Sequence, residues 1–196
     1  MDRYQNTRQP DWEWWSVLWD DPKAVLETLD IRPGESIADV GAGNGYFTLP
    51  GAEIADPATV YAIDIDQELL DELEAATDRR GCSNVRTIQG DARELRRLLP
   101  ASVDVVLLAN TFHGIESPAV FAQQAYESLT PGGRLIVLNW RDRPPKATQV
   151  AGSPRGPPHD LRTPPEETIE RLSTAPFASF QTVAVPPHHY GVICER

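Results

Sequence analysis

The sequence has only two cysteines, Cys82 and Cys194, too few for a disulfide framework or a cysteine-built zinc cluster. It also lacks an excess of positive charge: 18 Lys and Arg against 29 Asp and Glu leave a formal net charge of -11. That balance disfavours a nucleic-acid partner, because little cationic surface is available to displace counterions from phosphates. An anionic membrane surface is disfavoured for the same reason. Long apolar runs are missing too. The longest candidate, "VDVVLLAN", has the length of a strand and not of a membrane span. The opening "MDRYQNTRQPDWEWW" has no charged-then-apolar signal layout, so a cytoplasmic location is expected. No carboxylate or thiolate stands at ligand spacing from the four histidines, so no metal site is expected.

What is present suits one domain with one core in 196 residues. Residues 1–33 read as an amino-terminal helical lid, in which Trp12, Trp15 and Trp19 form an aromatic stripe at helical spacing. Asp21 and Pro22 there read as a helix cap and first helical residue. Residues 34–140 alternate strand and helix: "SIADVG", "TVYAIDI", "NVRTIQG", "SVDVVLLAN" and "GGRLIVLNW" are the strands. Asp66 and Ser117 are expected caps, and Leu69, Leu70, Leu73 and Ala76 an inward helix face. Residues 141–163 form a long Pro- and Arg-rich loop. Residues 164–196 add a helix, with a capping box from Thr163 to Glu166, and an edge hairpin turning at Pro186-Pro187. The pattern predicts a Rossmann-like α/β fold: a seven-stranded mixed sheet in the order 3-2-1-4-5-7-6, last strand antiparallel, helices on both faces. In that order the cysteines lie about five strand spacings apart, on the order of 24 Å. A disulfide needs Cα atoms within roughly 7 Å, so both thiols should be free.

The stretch "IADVGAGNGYFTLP" carries the chemistry. Glycines at positions 41, 43 and 45, after a strand and before a helix, let a ligand lie against bare backbone and helix amides. A dinucleotide fingerprint would require glycine where Tyr46 stands, and a plain tight turn also fits the glycines. The second element is Asp64, about 20 residues on and at the end of the next strand, where a carboxylate can accept both ribose hydroxyls. "IQGDAREL", "LLANTFHGI" and "LTPGGRLIVLNW" follow in order.

From Asp39 to Trp140 these motifs resemble the class I S-adenosylmethionine-dependent methyltransferases, most nearly the small type-11 branch similar to ubiquinone/menaquinone C-methyltransferases. The resemblance implies S-adenosylmethionine as cofactor. Asp39 would orient the glycine loop and approach the methionine amino group, while Gly41, Gly43 and Gly45 make room for the methionine part. Asp64 would hold the ribose, with Ile65 beside it. Asp91 and Ala92 would meet the adenine, and Asn110 and Thr111 would line the methionine and sulfonium side. For Asp91, a cap of the next helix remains an open alternative.

All four histidines map to the strand ends that form the ligand face. His113 is a candidate general base or a packed ring, and Trp140, Arg141 and His188 are candidate substrate residues. His188 and His189 also fit as plain turn residues. The expected function is methyl transfer to a small-molecule acceptor, without nucleic acid or a membrane span. Arsenite is disfavoured as acceptor because its chemistry wants several thiolates. A silent cofactor-binding module or sensor and a nicotinamide oxidoreductase are the competing classes.

Overall fold

In the computed structural model the backbone is described for residues 12–196 and side chains from Trp15 onward. Tyr4, and the side chains of Trp12 and Trp14 assigned above to the lid, lie outside the described residues. The strands are β1 (Ile37–Val40), β2 (Val60–Asp64), β3 (Val85–Gln89), β4 (Val103–Ala109), β5 (Leu129–Trp140), β6 (Ser179–Val185) and β7 (His189–Glu195). They pair in the order β3-β2-β1-β4-β5-β7-β6, as expected. Neighbours from β3 to β5 are parallel, and β7 runs antiparallel to both β5 and β6.

Among the described residues seven α-helices flank the sheet: α1 (Trp12–Leu18), α2 (Pro22–Thr28), α3 (Thr48–Ala55), α4 (Gln67–Arg80), α5 (Leu95–Leu98), α6 (Pro118–Ser128) and α7 (Pro165–Leu172). Strand alternation divides the core in two. Ile37, Val105, Leu107, Ile136 and Leu138 pack with Leu26, Leu49, Leu70 and Leu73 from α2, α3 and α4. Val40, Val106, Leu108 and Val137 pack with Leu95, Phe121 and Leu172 from α5, α6 and α7. Covered on both faces, β4 can be almost wholly apolar. Among the described residues no helix is long and apolar enough to cross a membrane. Both cysteines are free thiols, and burial pushes that of Cys194 up to about 12.

Local chemistry explains the helix starts. Asp21 accepts from the Ala24 amide at 3.0 Å ahead of Pro22, and Asp66 accepts from the Glu68 amide at 3.1 Å. Four expectations need correction. Ser117 holds the cap position of α6 but makes no side-chain cap bond. Leu69 is only half-buried. The fifth strand begins at Leu129, ahead of the glycines, because Leu129 pairs with Val103 across a register shift. The capping box is absent. Pro164 takes the cap position, and Thr163 turns inward, where its hydroxyl accepts from Asn139 Nδ2 at 3.2 Å and lies 3.2 Å from Thr168 Oγ1. Its carbonyl accepts from the Tyr190 hydroxyl at 2.7 Å.

The segment 141–163 is more structured than a plain loop. It contains single turns of 3-10 helix at Pro145–Ala147 and His159–Leu161, and a small ladder in which Gln149 and Val150 pair with Pro154 and Ser153.

Candidate active site

Parallel strands deliver their carboxyl ends to one edge, and there the glycine loop meets β2 and β4. The Gly41 and Ala42 amides donate to the Ile63 carbonyl at 2.8 and 3.1 Å, which turns the chain sharply off β1. Gly41 adopts φ +73°, and a Cβ there would stand 2.8 Å from Thr111 Cγ2, so glycine is required on both counts. The Gly43 amide donates to Asp64 Oδ2 at 2.8 Å and the Asp66 amide to Oδ1 at 3.0 Å. Asp64 therefore pins the loop while keeping lone pairs for a ligand. Burial raises its pKa above the ordinary value, against the opposing pull of those amides.

Asp39 is 2% exposed and accepts from Thr48 Oγ1 at 2.6 Å. Burial pushes its carboxyl up to about 6, with the Thr48 bond working against the shift and the Asp64 charge adding to it. Across the loop, Asn110 follows β4 in a left-handed conformation, φ 58°. Both its amide atoms and the Thr111 hydroxyl are buried with no hydrogen-bond partner among the described residues. Strain and orphaned polar atoms in one place are expected where a ligand completes the bonding.

The chemistry of these groups fits S-adenosylmethionine. Carboxylates suit its ammonium and ribose hydroxyls, bare glycine backbone admits its chain, and Thr111 lies against that backbone beside the unsatisfied Asn110. Ile65 is half-buried and Ala92 buried at the neighbouring strand ends. Asp91 is otherwise engaged. It caps the following turn through the Arg93 amide at 2.8 Å, and its carboxylate pairs with the Arg93 guanidinium at 2.7 Å. Chiefly through that side-chain bond, Arg93 holds the Asp91 carboxyl below its ordinary value.

The acceptor side gathers the remaining candidates. Trp140, at the end of β5, is 2% exposed and lies 4.1 Å, ring to ring, from His189. His189 is wholly buried between Trp140 and Trp19, whose ring lies 4.5 Å away, and neither imidazole nitrogen has a hydrogen-bond partner among the described residues. Burial drives its pKa well below 6.5, with the charges of Arg162 and Arg141 adding to the effect. His188 is half-buried, stacks within 16° of Trp140, and donates through Nε2 to the Gln149 carbonyl at 3.1 Å. Arg141 donates from Nε to the His189 carbonyl at 3.0 Å. His113 is half-buried, and burial first, then Arg162, lowers its pKa to about 4. His159 lies further out, paired with Asp142 at 2.9 Å.

Sequence reasoning missed Arg162. It is 4% exposed and donates to the carbonyls of Pro157, Arg143 and Arg155 at 2.9, 2.8 and 2.7 Å, and to Thr148 Oγ1 at 3.0 Å. Its guanidinium carbon lies 5.3 Å from the Trp140 ring centre. It forms no ion pair among the described residues, so no carboxylate in the sequence signals its role. Thr48, the partner of Asp39, was missed for a similar reason: a lone hydroxyl in a helix start carries no motif. Among the described residues no group of three His, Cys, Asp or Glu could hold a metal. A groove of about 510 Å³ between α3 and α4, lined by Asn44, Leu49 and Arg79, includes none of the candidate residues.

The family described as a methyltransferase domain matches residues 38–137. The tRNA (guanine(6)-N2)-methyltransferase of Thermus thermophilus is 34% identical over 129 residues, covering 61% of this chain and 38% of that protein. The ubiquinone/menaquinone biosynthesis C-methyltransferase of Ectopseudomonas mendocina is 29% identical over 126 residues, 63% of this chain and 48% of that one. The chain thus spans between about two fifths and one half of the length of these curated relatives. An Aquifex aeolicus SAM-dependent methyltransferase structure has the same fold, with a TM-score of 0.78, 23% identity, and coverage of 92% of this chain and 91% of that one.

Proposed function

Because the chain belongs to the methyltransferase-domain family, of the S-adenosylmethionine-dependent class, we propose that it methylates a small-molecule acceptor bound between the ends of β4 and β5. The observation that carries this reading is the orphaned pair Asn110 and Thr111, with Thr111 against the bare backbone of Gly41 and the glycine loop pinned by Asp64. S-adenosylmethionine held there would supply an electrophilic methyl group for an acceptor's lone pair, with its sulfur keeping the carbon–sulfur electron pair.

The chain's own residues then do three things. Asp39 sets its carboxylate against the ammonium group, and Asp64 receives the ribose hydroxyls while fixing the glycine loop through Gly43. Ile65 and Ala92 form the adenine walls, with Asp91 contributing chiefly by organising Arg93 and the turn. Asn110 and Thr111 fill their bonding on the methionine side. Around the acceptor, Trp140 and the segment 141–163 built on Arg162 exclude water, which a displacement at a sulfonium requires. His113 faces this region as a neutral ring whose pKa, near 4, makes it a weak base for an alcohol but a competent hydrogen-bonding group.

The relatives named above differ in their acceptors, so the acceptor class rests on this chain alone. A net charge of -11 works against a polyanionic substrate, and that favours a small molecule. Calorimetry should find S-adenosylhomocysteine binding with no response to NAD, and a screen of small acceptors should release S-adenosylhomocysteine. NAD binding without S-adenosylhomocysteine binding would sink the reading.

A further inference from the structure

Resting on that reading, the geometry points to an anionic acceptor: a molecule carrying a carboxylate or an acidic hydroxyl, gripped by the guanidinium fork of Arg141. Three observations converge. The first is the fork itself. Arg141 is half-buried, and its Nε is committed to the His189 carbonyl at 3.0 Å, which fixes the side chain beside Trp140 and His188. Its two terminal nitrogens have no partner among the described residues, and it forms no ion pair there. A pre-oriented fork with both outer donors open matches the two oxygens of a carboxylate.

The second is the company it keeps. The chain carries a net charge of -11, yet residues 141–162 hold five Lys and Arg against two Asp. One of those two, Asp142, is occupied by His159 at 2.9 Å. Arg162 is buried with its donors on carbonyls and a hydroxyl, so its charge is solvated chiefly by dipoles and forms no ion pair among the described residues, with Asp142 acting on it only at longer range. A buried cation of this kind projects a positive potential into the space it faces. The groups it faces are neutral rings: Trp140, His189 and His113.

The third is the missing base. His113 and His189 are both held neutral, by burial first and by Arg162 among the neighbouring charges. An acceptor that needed a proton removed would find a weak base there. One that arrives ionised needs none: its lone pair forms the bond to the methyl carbon, sulfur keeps the departing pair, and no proton moves. The positive rim also lowers the pKa of a bound hydroxyl, so acidic phenols and enols belong to the class.

The test uses the full chain saturated with S-adenosylhomocysteine and four ring-matched probes followed by calorimetry: benzoate, 4-nitrophenolate, benzamide and benzylamine. One or both anions should bind about tenfold or more tighter than benzamide, the range of a charge-assisted hydrogen bond, and benzylamine should bind weakest. The preferred anion separates a carboxylate acceptor from an acidic hydroxyl. Arg141→Gln should erase the preference while leaving S-adenosylhomocysteine affinity within about twofold, a change too small for a lost hydrogen bond. No preference for either anion, or a preference that survives Arg141→Gln, would overturn the anionic acceptor alone. Failure to bind S-adenosylhomocysteine would overturn the methyl-donor reading and this inference with it.

Discussion

The hydroxyl of Tyr46 donates to the backbone carbonyl of Trp19, and it also reaches that of Trp15 at 3.2 Å. Tyr46 stands where a dinucleotide fingerprint would place glycine, so the departure from that fingerprint has a structural use. It bolts the end of α1 onto the end of the glycine loop. Trp19 continues the link, donating from Nε1 to the Pro186 carbonyl at 2.7 Å at the tip of the hairpin. Burial raises the Tyr46 hydroxyl to about 12, so it stays a neutral donor at working pH. Tyr46→Phe removes the hydroxyl donor from the Trp19 carbonyl, while the Trp15 carbonyl keeps the Trp19 amide at 2.8 Å, and it should cost about 1–3 kcal/mol in denaturant unfolding. A midpoint unchanged from wild type would show that water satisfies α1 just as well.

Asp39 should make cofactor binding pH-dependent. Its carboxyl titrates at about 6 in the free protein, and a ligand with an ammonium group prefers the ionised form. Protons are therefore released on binding, and affinity rises with pH. Between pH 5 and 7, S-adenosylhomocysteine affinity should climb about tenfold, the change in ionised fraction across such a pKa. Calorimetry at pH 6 in buffers of different ionisation enthalpy should count the released protons. Asp39→Asn should bind weakly with a flat profile; a steep profile in that variant would assign the titration to Asp64 instead.

The acidic residue that ends β2 and the one that follows β3 should behave differently. Asp64 holds the Gly43 amide and has lone pairs left for ribose, whereas Asp91 is saturated by Arg93. Asp64→Ala should weaken S-adenosylhomocysteine binding by about 1.5–3 kcal/mol, the scale of hydrogen bonds to a charged group. Asp91→Ala should cost clearly less. Equal losses would mean that Asp91 leaves Arg93 for the adenine when ligand binds.

The strand order and the glycine loop were legible because their signals are local: apolar runs, glycines at fixed offsets, and an acid at a strand end. Asp64 could be placed from sequence for that reason. Arg162 could not, because three of its four acceptors are backbone carbonyls, which every residue possesses. Thr163 misled for a related reason. "TPPE" satisfies the local rule for a capping box, but a buried chain of Asn139, Thr168 and Tyr190 offers its hydroxyl and carbonyl better partners. His189 read as a turn residue because its burial depends on Trp19, which is distant in sequence.

That burial predicts an acid weakness. The folded-state pKa of His189 lies well below 6.5, so the neutral ring is compatible with folding above that pH. As pH falls below 6.5 the unfolded chain takes up a proton that the folded chain refuses, and stability is lost until the folded pKa is passed. The loss from one such group is up to about 1.4 kcal/mol per pH unit. His113 adds a smaller term over 6.5 to about 4. Asp39 works in the opposite direction, since its raised pKa favours the folded state as pH falls through 6. The informative quantity is therefore the difference between wild type and His189→Phe, measured by denaturant unfolding at pH 7.5 and pH 5. Phenylalanine keeps the ring between Trp19 and Trp140 and removes two buried nitrogens that have no partner among the described residues. The variant should match or exceed wild-type stability at pH 7.5 and hold a larger advantage at pH 5. An advantage that does not grow on acidification would mean that the imidazole gains a partner, such as water, that lets it take the proton in place.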